Sequence, residues 1–271
     1  MVEIELGLYH YKLIYSAIST IESSKNIKNA IPNVFDLIIN HINPDVAIYF
    51  SYKENKIDPF IANQIEMDKI KNIDWKNDSI ISTTLELIAP IKSDSALSET
   101  ILKDKPMVLS GLGYKFDSVI SLPIEYNKTI YGILLLLNKK RKFGSNEFET
   151  LKIISKQIGY HYEIMNLNED AQNKCKYLTA IIDKISSAII IYSEKQIKFI
   201  NKKAKDIIDN DISVKEKIEE IIQEAYLKKT NLNRMEIEIN GKIIGYSITN
   251  SKIDIHEVLI FIFQDITKFK K

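Results

Sequence analysis

The sequence predicts an α+β protein of two domains joined by a long helix, and three observations lead to this prediction. The chain has 271 residues, which is long for one small domain and sufficient for two. Helical and strand patterns occur in both halves, and the longest apolar runs, 132–137 and 258–263, have the length of strands. Between the halves, residues 146–185 contain no proline and a single glycine, so one helix can continue throughout.

The composition is that of an ordinary globular protein, with 45% apolar and 27% charged residues. Basic and acidic residues number 37 and 36, and this balance gives no support to a nucleic-acid or membrane-surface partner. No apolar run reaches the roughly 18 residues of a membrane span, and the first residues lack the pattern of a secretory signal. The single cysteine excludes an internal disulfide and a metal site built from several thiolates. We therefore expect a cytoplasmic protein.

The first half begins with two amphipathic helical patterns, over about residues 4–23 and 27–42, and Asn43-Pro44-Asp45 ends the second. A strand is predicted at 46–52, with a turn at 53–56. The stretch from 63 to 103 is less regular. This stretch contains Trp75 and a short predicted helix at 95–102. A short strand at 105–110 and the flexible Gly111-Leu112-Gly113 are predicted to follow it.

A β-hairpin is the clearest element of the first half. Its strands are predicted at 118–125 and 129–138, around the polar turn Tyr126-Asn127-Lys128. Gly144-Ser145 then precedes a long helix that begins near Asn146. In the second half, strand candidates lie at 235–239, 242–248 and 257–263.

The order of elements in the first half resembles the GAF domain family over about residues 5–165. The most specific part is the segment 117–125, Asp-Ser-Val-Ile-Ser-Leu-Pro-Ile-Glu, paired with Tyr-Gly-Ile-Leu at 131–134 and followed by Phe143. The resemblance implies a sensor domain with an apolar ligand pocket between the hairpin strands and the segment 63–113. The residues we place around this pocket are Trp75, Ser110, Tyr114, Phe116 and Ser121. The alternative is that these aromatic side chains are ordinary core.

In the second half, residues 178–187 and 188–192 match the entry helix and first strand of a PAS domain, and residues 197–200 and 204–208 match its second strand and first short helix. This half therefore resembles a PAS domain, with Asn201 where that family often caps the short helix. Its last strand runs into Asp265-Ile266-Thr267 and a charged tail, which resembles the exit of PAS domains. In that family the exit passes a signal to a following helix. The resemblance therefore implies that Asp265 and Thr267 relay the signal, and we expect an output domain or partner protein after residue 271.

Together the two resemblances predict two antiparallel-sheet sensor domains, GAF and then PAS. The predicted boundaries are 1–165 for the first domain, 166–186 for the connecting helix and 187–271 for the second domain. The predicted fold class is therefore α+β for both domains.

The connecting segment carries an apolar series with the spacing of a coiled coil. From Tyr160 onward the steps are 4, 3, 4, 4, 3, 4 and 3 residues, which is a heptad pattern with one extra residue before Cys175. We call this series the seam; its members are Ile164, Leu167, Ala171, Cys175, Leu178, Ile182 and Ile185. The pattern favours a parallel helical spine of two chains, and hence a homodimer. The core face of a single helix is the alternative.

Enzyme signatures are missing from the sequence: it has no phosphate-binding loop, dinucleotide fingerprint or nucleophile elbow. The four histidines are not spaced as metal ligands of one another. We therefore predict no catalytic residues and no metal site, and the sequence names no cofactor. Asn138-Lys139, Phe143 and Glu147 approach a motif of cyclic-nucleotide-binding GAF domains, in which Lys139 would bridge to Glu147. The favoured interpretation is a strand end, a packed Phe143 and a helix start.

The function that the two resemblances imply is signal sensing and relay, with the chain as the input region of a two-component sensor histidine kinase. A small ligand in the GAF pocket would shift the connecting helix, and a homodimer would pass the change to the second domain. The alternative is a dimerisation or interaction module without a ligand, in a transcription regulator or a diguanylate cyclase.

Overall fold

The computed structural model describes residues 7–24, 26–94, 116–253 and 255–270. The chain divides into two compact units, Met1–Glu169 and Asp170–Lys271, and each contains one antiparallel sheet with helices. The predicted α+β class, with two antiparallel sheets and a long helix between them, is confirmed. In the described part of the chain, no helix combines the length and hydropathy needed to cross a membrane.

The first unit opens with two helices and continues into a five-stranded sheet. Its elements are α1 (Leu8–Ser23), α2 (Ile27–Ile42), β1 (Val46–Lys53), β2 (Lys56–Asn63), α3 (Met67–Ile70), a 3-10 turn (Trp75–Asn77), α4 (Ser79–Leu87), β3 (Ile91–Ser93), β4 (Ser118–Tyr126) and β5 (Thr129–Asn138). The helix α5 (Ser145–Asp183) begins in this unit and continues into the second.

The second unit has a sheet and two helices that cover it. Its elements after α5 are β6 (Ala188–Ser193), β7 (Gln196–Ile200), α6 (Lys202–Ile208), α7 (Ile212–Lys228), β8 (Leu232–Ile239), β9 (Lys242–Ile253), β10 (His256–Asp265) and α8 (Thr267–Lys270).

Both sheets have the same strand order. The first runs β2-β1-β5-β4-β3 and the second runs β7-β6-β10-β9-β8, so in each the last strand in sequence pairs with the first. Tyr49 of β1 is opposite Leu134 of β5, and Ile191 of β6 is opposite Ile260 of β10. The last strand of each unit is therefore the central strand of its sheet.

The alternation of side chains along β1 and β5 divides the core of the first unit in two. Tyr49 and Leu134 lie in a cluster with α1, α2 and α5, on what we call the helix side of the sheet. Ile48 and Leu135 lie in a second cluster that contains Trp75 and side chains of α4. We call this the Trp75 side. Candidate sites on the two sides are therefore separated by the sheet itself.

The predicted elements agree with the structure where the pattern is local. Helix 27–42 and the hairpin at 118–138 are confirmed. The helix predicted at 178–187 is wrong beyond Asp183, because the Asn201 side-chain amide donates to the Ile182 and Ser187 carbonyls and the chain turns there. The helix predicted at 95–102 and the strand at 105–110 lie outside the described residues. The elements that were not predicted are β2, α3, the 3-10 turn, α4, β3 and α7.

Candidate functional site

Three of the predicted pocket residues lie on the Trp75 side of the first sheet. Trp75 and Phe116 are both fully buried in the same cluster, and Trp75 packs edge-on against Phe50 with ring centroids 4.8 Å apart. The Trp75 Nε1 donates to the Ile70 carbonyl at 3.0 Å. The Ser121 Oγ lies 2.7 Å from the Thr84 Oγ1. The structure thus brings these three residues to one face, where the polar side-chain atoms of Trp75 and Ser121 bind other protein groups.

The other two predicted pocket residues, Ser110 and Tyr114, fall outside the described residues. The ligand role of the five residues stays a prediction. Among the described residues, no group of three or more His, Cys, Asp or Glu side chains has the arrangement of a metal site.

A cleft of about 380 Å³ opens on the helix side of the sheet, within the first unit. We call it the tyrosine cleft. Its walls come from β1, β2, β5 and α5, and Lys28 at the start of α2 is also at its edge. The wall residues that matter below are Tyr49, Phe60, Tyr131, Tyr162 and Met165.

The tyrosines of this cleft form a bonded group. Tyr49 is almost fully buried, and its hydroxyl donates to the Tyr162 hydroxyl oxygen at 3.4 Å. The Tyr131 ring stacks on the Tyr162 ring with centroids 5.1 Å apart and planes 7° apart. The Tyr131 hydroxyl donates to the Glu163 carboxylate. Burial raises the pKa of Tyr49 well above its ordinary value, so its hydroxyl remains a donor.

Gly132 makes room for this arrangement. A Cβ atom at Gly132 would lie 2.3 Å from the Phe50 carbonyl oxygen and 3.0 Å from the Tyr49 hydroxyl oxygen. Any side chain here would therefore displace β1 or the Tyr49 ring. This contact explains in physical terms why Tyr131 is followed by glycine in the sequence segment that resembles GAF domains.

Tyr131 gives the first unit a stability change at alkaline pH. Burial, followed by its hydrogen bond to Glu163, raises the pKa of Tyr131 from 10.0 to about 12. Above pH 10 the unfolded chain releases this proton while the folded chain keeps it. The stabilising contribution is complete below pH 10 and is lost as the pH rises to about 12.

The Tyr131→Phe variant should therefore lose less stability than the wild type between about pH 9 and pH 12, as measured by urea titration of Trp75 fluorescence. Trp75 is the only tryptophan, so this signal reports the first unit alone. Tyr177→Phe, whose ring is 69% exposed on α5, is the control and should follow the wild type. Parallel curves for wild type and Tyr131→Phe would contradict the prediction.

The part of α5 that carries the seam is exposed to solvent over residues 166–181. Every described residue from 166 to 181 is exposed, and the seam residues Leu167 and Leu178 are 57% and 56% exposed. Cys175 is exposed as well. Such a run of apolar side chains on one face of an otherwise polar helix is typical of a surface that pairs with another helix.

The predicted relay residues form a compact turn at the end of β10. The Asp265 carboxylate accepts hydrogen bonds from the Thr267 amide at 3.0 Å and from the Thr267 hydroxyl at 2.6 Å. Those bonds hold the pKa of Asp265 below its ordinary value. The Thr267 hydroxyl oxygen also accepts from the Ile243 amide at 2.8 Å. The turn is thus bonded to β9, and the relay role of both residues stays a prediction.

In the structure, Lys139 and Glu147 of the alternative cyclic-nucleotide motif have other partners than each other. The Glu147 carboxylate binds the Arg141 guanidinium at 2.7 Å and accepts from the Gly144 amide at 2.7 Å. Glu147 therefore caps the start of α5, while the Lys139 amide donates to Asp45. This arrangement agrees with the favoured interpretation of a helix start.

Sequence reasoning did not find the tyrosine cleft. Tyr49, Tyr131 and Tyr162 come from β1, β5 and α5, and no short-range spacing links them. A possible signal was the presence of tyrosines at inward positions of two neighbouring strands in a sequence with 14 tyrosines.

Comparison with known proteins shows a likeness in fold. No protein-family model matches the chain, and no curated protein sequence matches it either. The GAF domain of a phosphoenolpyruvate-protein phosphotransferase from Coxiella burnetii is similar with a TM-score of 0.51 and 12% identity, over 60% of this chain and 98% of that one. A chain of the Escherichia coli DhaR(N)–DhaL complex is similar with a TM-score of 0.55 and 12% identity, over 97% of this chain and 92% of that one.

At these identities the likeness concerns the fold alone. A GAF-domain fold is present over about 59% of the chain, a share close to that of the first unit, and this part of the sequence prediction is confirmed. The PAS fold of the second unit and the histidine kinase context stay predictions.

Proposed function

We propose that the chain is a dimeric sensory and relay module, the input region of a two-component sensor histidine kinase. The first unit responds to a small ligand, α5 carries the change to a PAS-like second unit, and the turn at Asp265 and Thr267 passes it onward. The observation that carries this proposal is the exposed seam of α5. The likeness of the first unit to GAF domains in fold supports a sensory role by analogy.

The length of α5 favours two chains over one. Its 39 residues span about 58 Å at 1.5 Å per residue, more than a helix needs to cover one small sheet. Residues 166–181 are exposed, so the apolar members of the seam stay in water in a single chain. Pairing with the same seam of a second copy removes this apolar surface from water, which is the main driving force for helix association.

Cys175 offers a direct test, because it is a seam member and the only cysteine. In a parallel, in-register pair each seam residue faces its own copy, at a separation that suits the roughly 4.4–6.8 Å between Cα atoms of a disulfide. We therefore expect mild oxidation to convert most of the purified chain into a covalent dimer. Non-reducing electrophoresis and the mass of the cross-linked species measure this.

The matched control moves the thiol by two residues, to the opposite face of the helix. In the double variant Cys175→Ser and Asn173→Cys the thiol leaves the seam for the solvent-facing side of the same exposed helix, and it should cross-link much more slowly. Equal rates for the two positions, or a chain that sediments as a monomer at about 50 μM, where a stable dimer of micromolar affinity would be mostly associated, would contradict the dimeric proposal.

A further inference from the structure

The tyrosine cleft has the volume and walls of a small-molecule site. Its volume of about 380 Å³ lies within the range of roughly 300–1,000 Å³ that such sites occupy. Tyr131 and Tyr162 offer one pair of stacked rings, and the Phe60 ring meets Tyr49 edge-on at 6.1 Å. Met165 adds a flexible thioether that can adapt to a ring. A flat aromatic group is the ligand surface that these walls match best.

The hydroxyl groups of the cleft leave one donor available. Tyr131 gives its proton to Glu163, and Tyr49 gives its proton to the Tyr162 oxygen. Because Tyr162 accepts that bond, its own proton can go to an acceptor on a ligand. The ligand group that reaches the Tyr162 hydroxyl is therefore a hydrogen-bond acceptor, such as a carboxylate or amide oxygen.

The charged side chains at the edge of the cleft indicate which charge a ligand should carry. Lys28 and Lys53 both lie at this edge, and Lys28 is in the first turn of α2, where the helix dipole also favours an anion. The Lys53 ammonium is 3.6 Å from the Glu54 carboxylate, and both are exposed. The nearby Glu163 carboxylate accepts from Tyr131. The Lys53 charge is paired with Glu54, so Lys28 is the ammonium group that a carboxylate would meet here and that would oppose an organic cation.

We propose that the tyrosine cleft binds a small aromatic carboxylate, with its ring against the aromatic walls of the cleft, an oxygen on the Tyr162 hydroxyl and its charge towards Lys28. This site lies on the helix side of the sheet, and the pocket predicted from the sequence lies on the Trp75 side. The proposal rests on the proposed function and deepens it, because Tyr162 and Met165 stand on α5 beside Ile164, where the seam begins.

Binding is measured by calorimetry and saturation-transfer NMR on the whole chain under reducing conditions. The probes are indole-3-acetate and phenylacetate, their uncharged amides, and the amines tryptamine and phenethylamine. For acids of about 10–13 heavy atoms we expect dissociation constants of about 0.1–1 mM, with weaker binding of the amides and the weakest for the amines.

Two variants separate the two polar contacts. Lys28→Gln should weaken binding of the acids about fivefold and leave binding of the amides unchanged, because it removes the positive charge alone. Tyr162→Phe keeps the ring stack and should weaken acids and amides alike, since both present an oxygen to the hydroxyl. Lys76→Gln, in the turn on the Trp75 side, is the matched control and should bind all probes as the wild type does. Melting curves show whether each variant is folded.

Three outcomes would overturn the proposal. The first is that no probe binds at about 5 mM, a concentration well above the expected dissociation constants. The others are that the amines bind as tightly as the acids, or that Lys28→Gln leaves the ratio of acid to amide affinity unchanged. Cross-linking at Cys175 is measured separately. A chain that binds acids without forming a dimer would contradict the proposed dimeric relay alone, and a dimer that binds no probe would contradict the ligand proposal alone.

Discussion

Replacement of Asn201 by alanine is expected to lower the free energy of unfolding of the second unit by about 3–4 kcal/mol, the largest single-residue effect that we anticipate there. Asn201 is fully buried. Its Oδ1 accepts from the Ile189 amide at 2.9 Å and the Ala204 amide at 3.0 Å. Its Nδ2 donates to two carbonyls, of Ile182 in the last turn of α5 at 3.2 Å and of Ser187 just before β6 at 3.0 Å.

The size of the effect follows from the number of groups that lose a partner. All four hydrogen-bonding positions of the amide are used, and alanine replaces none of them. The cap of α6 alone is worth about 1 kcal/mol, and each further buried group left without a partner costs about 1 kcal/mol or more. The loss concerns three elements at once, because this side chain connects α5, β6 and α6.

Far-UV circular dichroism during urea titration measures the loss, since the second unit contains no tryptophan. Trp75 fluorescence, which reports the first unit, should show an unchanged midpoint. Asn210→Ala removes an exposed asparagine just after α6 and serves as the control, with an expected change within about 0.5 kcal/mol. A midpoint for Asn201→Ala that coincides with that of the control would refute the bonding role assigned to Asn201.

Gly159→Ala should destabilise the first unit by about 2 kcal/mol, although alanine is the better helix former. In an open helix this change stabilises by about 1 kcal/mol. Here a Cβ atom would lie 2.2 Å from the Glu125 carbonyl oxygen and 2.6 Å from its carbon, so α5 must move away from the hairpin. Overpacking against backbone costs about 1–3 kcal/mol or more, and at 2.2 Å we expect the upper part of that range to exceed the helix gain.

The midpoint of the Trp75 fluorescence change in urea measures this effect. Asn173→Ala, at an exposed position of the same helix, is the control and should be neutral or slightly stabilising by propensity. Stabilisation by Gly159→Ala would mean that α5 does not pack on the β4–β5 hairpin in solution.

The local elements could be predicted from the sequence, and the missed ones have identifiable causes. Strand β2 contains Pro59, which lowers strand propensity and is tolerated because β2 is at the edge of its sheet. Helix α4 is polar and buried, with Ser79, Ser82 and Thr84 inside, so its apolar pattern was weak. The seventh helix, α7, did carry a pattern, with buried side chains four, four and three residues apart from Val214 onward.

The candidate site depends on contacts that the sequence does not display. The resemblance to a cyclic-nucleotide motif offered Lys139 as the partner of Glu147, which was not the favoured interpretation. Arg141 takes that place, because Glu147 turns back to cap α5. The pocket residues were inferred from a family resemblance, which directed attention to the Trp75 side. The tyrosine cleft is assembled from side chains far apart in the sequence, such as Tyr49 and Tyr162, which are 113 positions apart, and only the folded sheet brings them together.

The strand order of the two sheets also bears on how the chain is made. Because β10 is the central strand of the second sheet, β6 lacks that neighbour until residues 256–265 have left the ribosome. The first sheet is complete once β5 has emerged, more than a hundred residues earlier. Domains generally fold as units during synthesis, the N-terminal one first. We therefore expect the first unit to fold while the second still lacks its centre, and nascent chains halted before β10 to be the ones that chaperones hold.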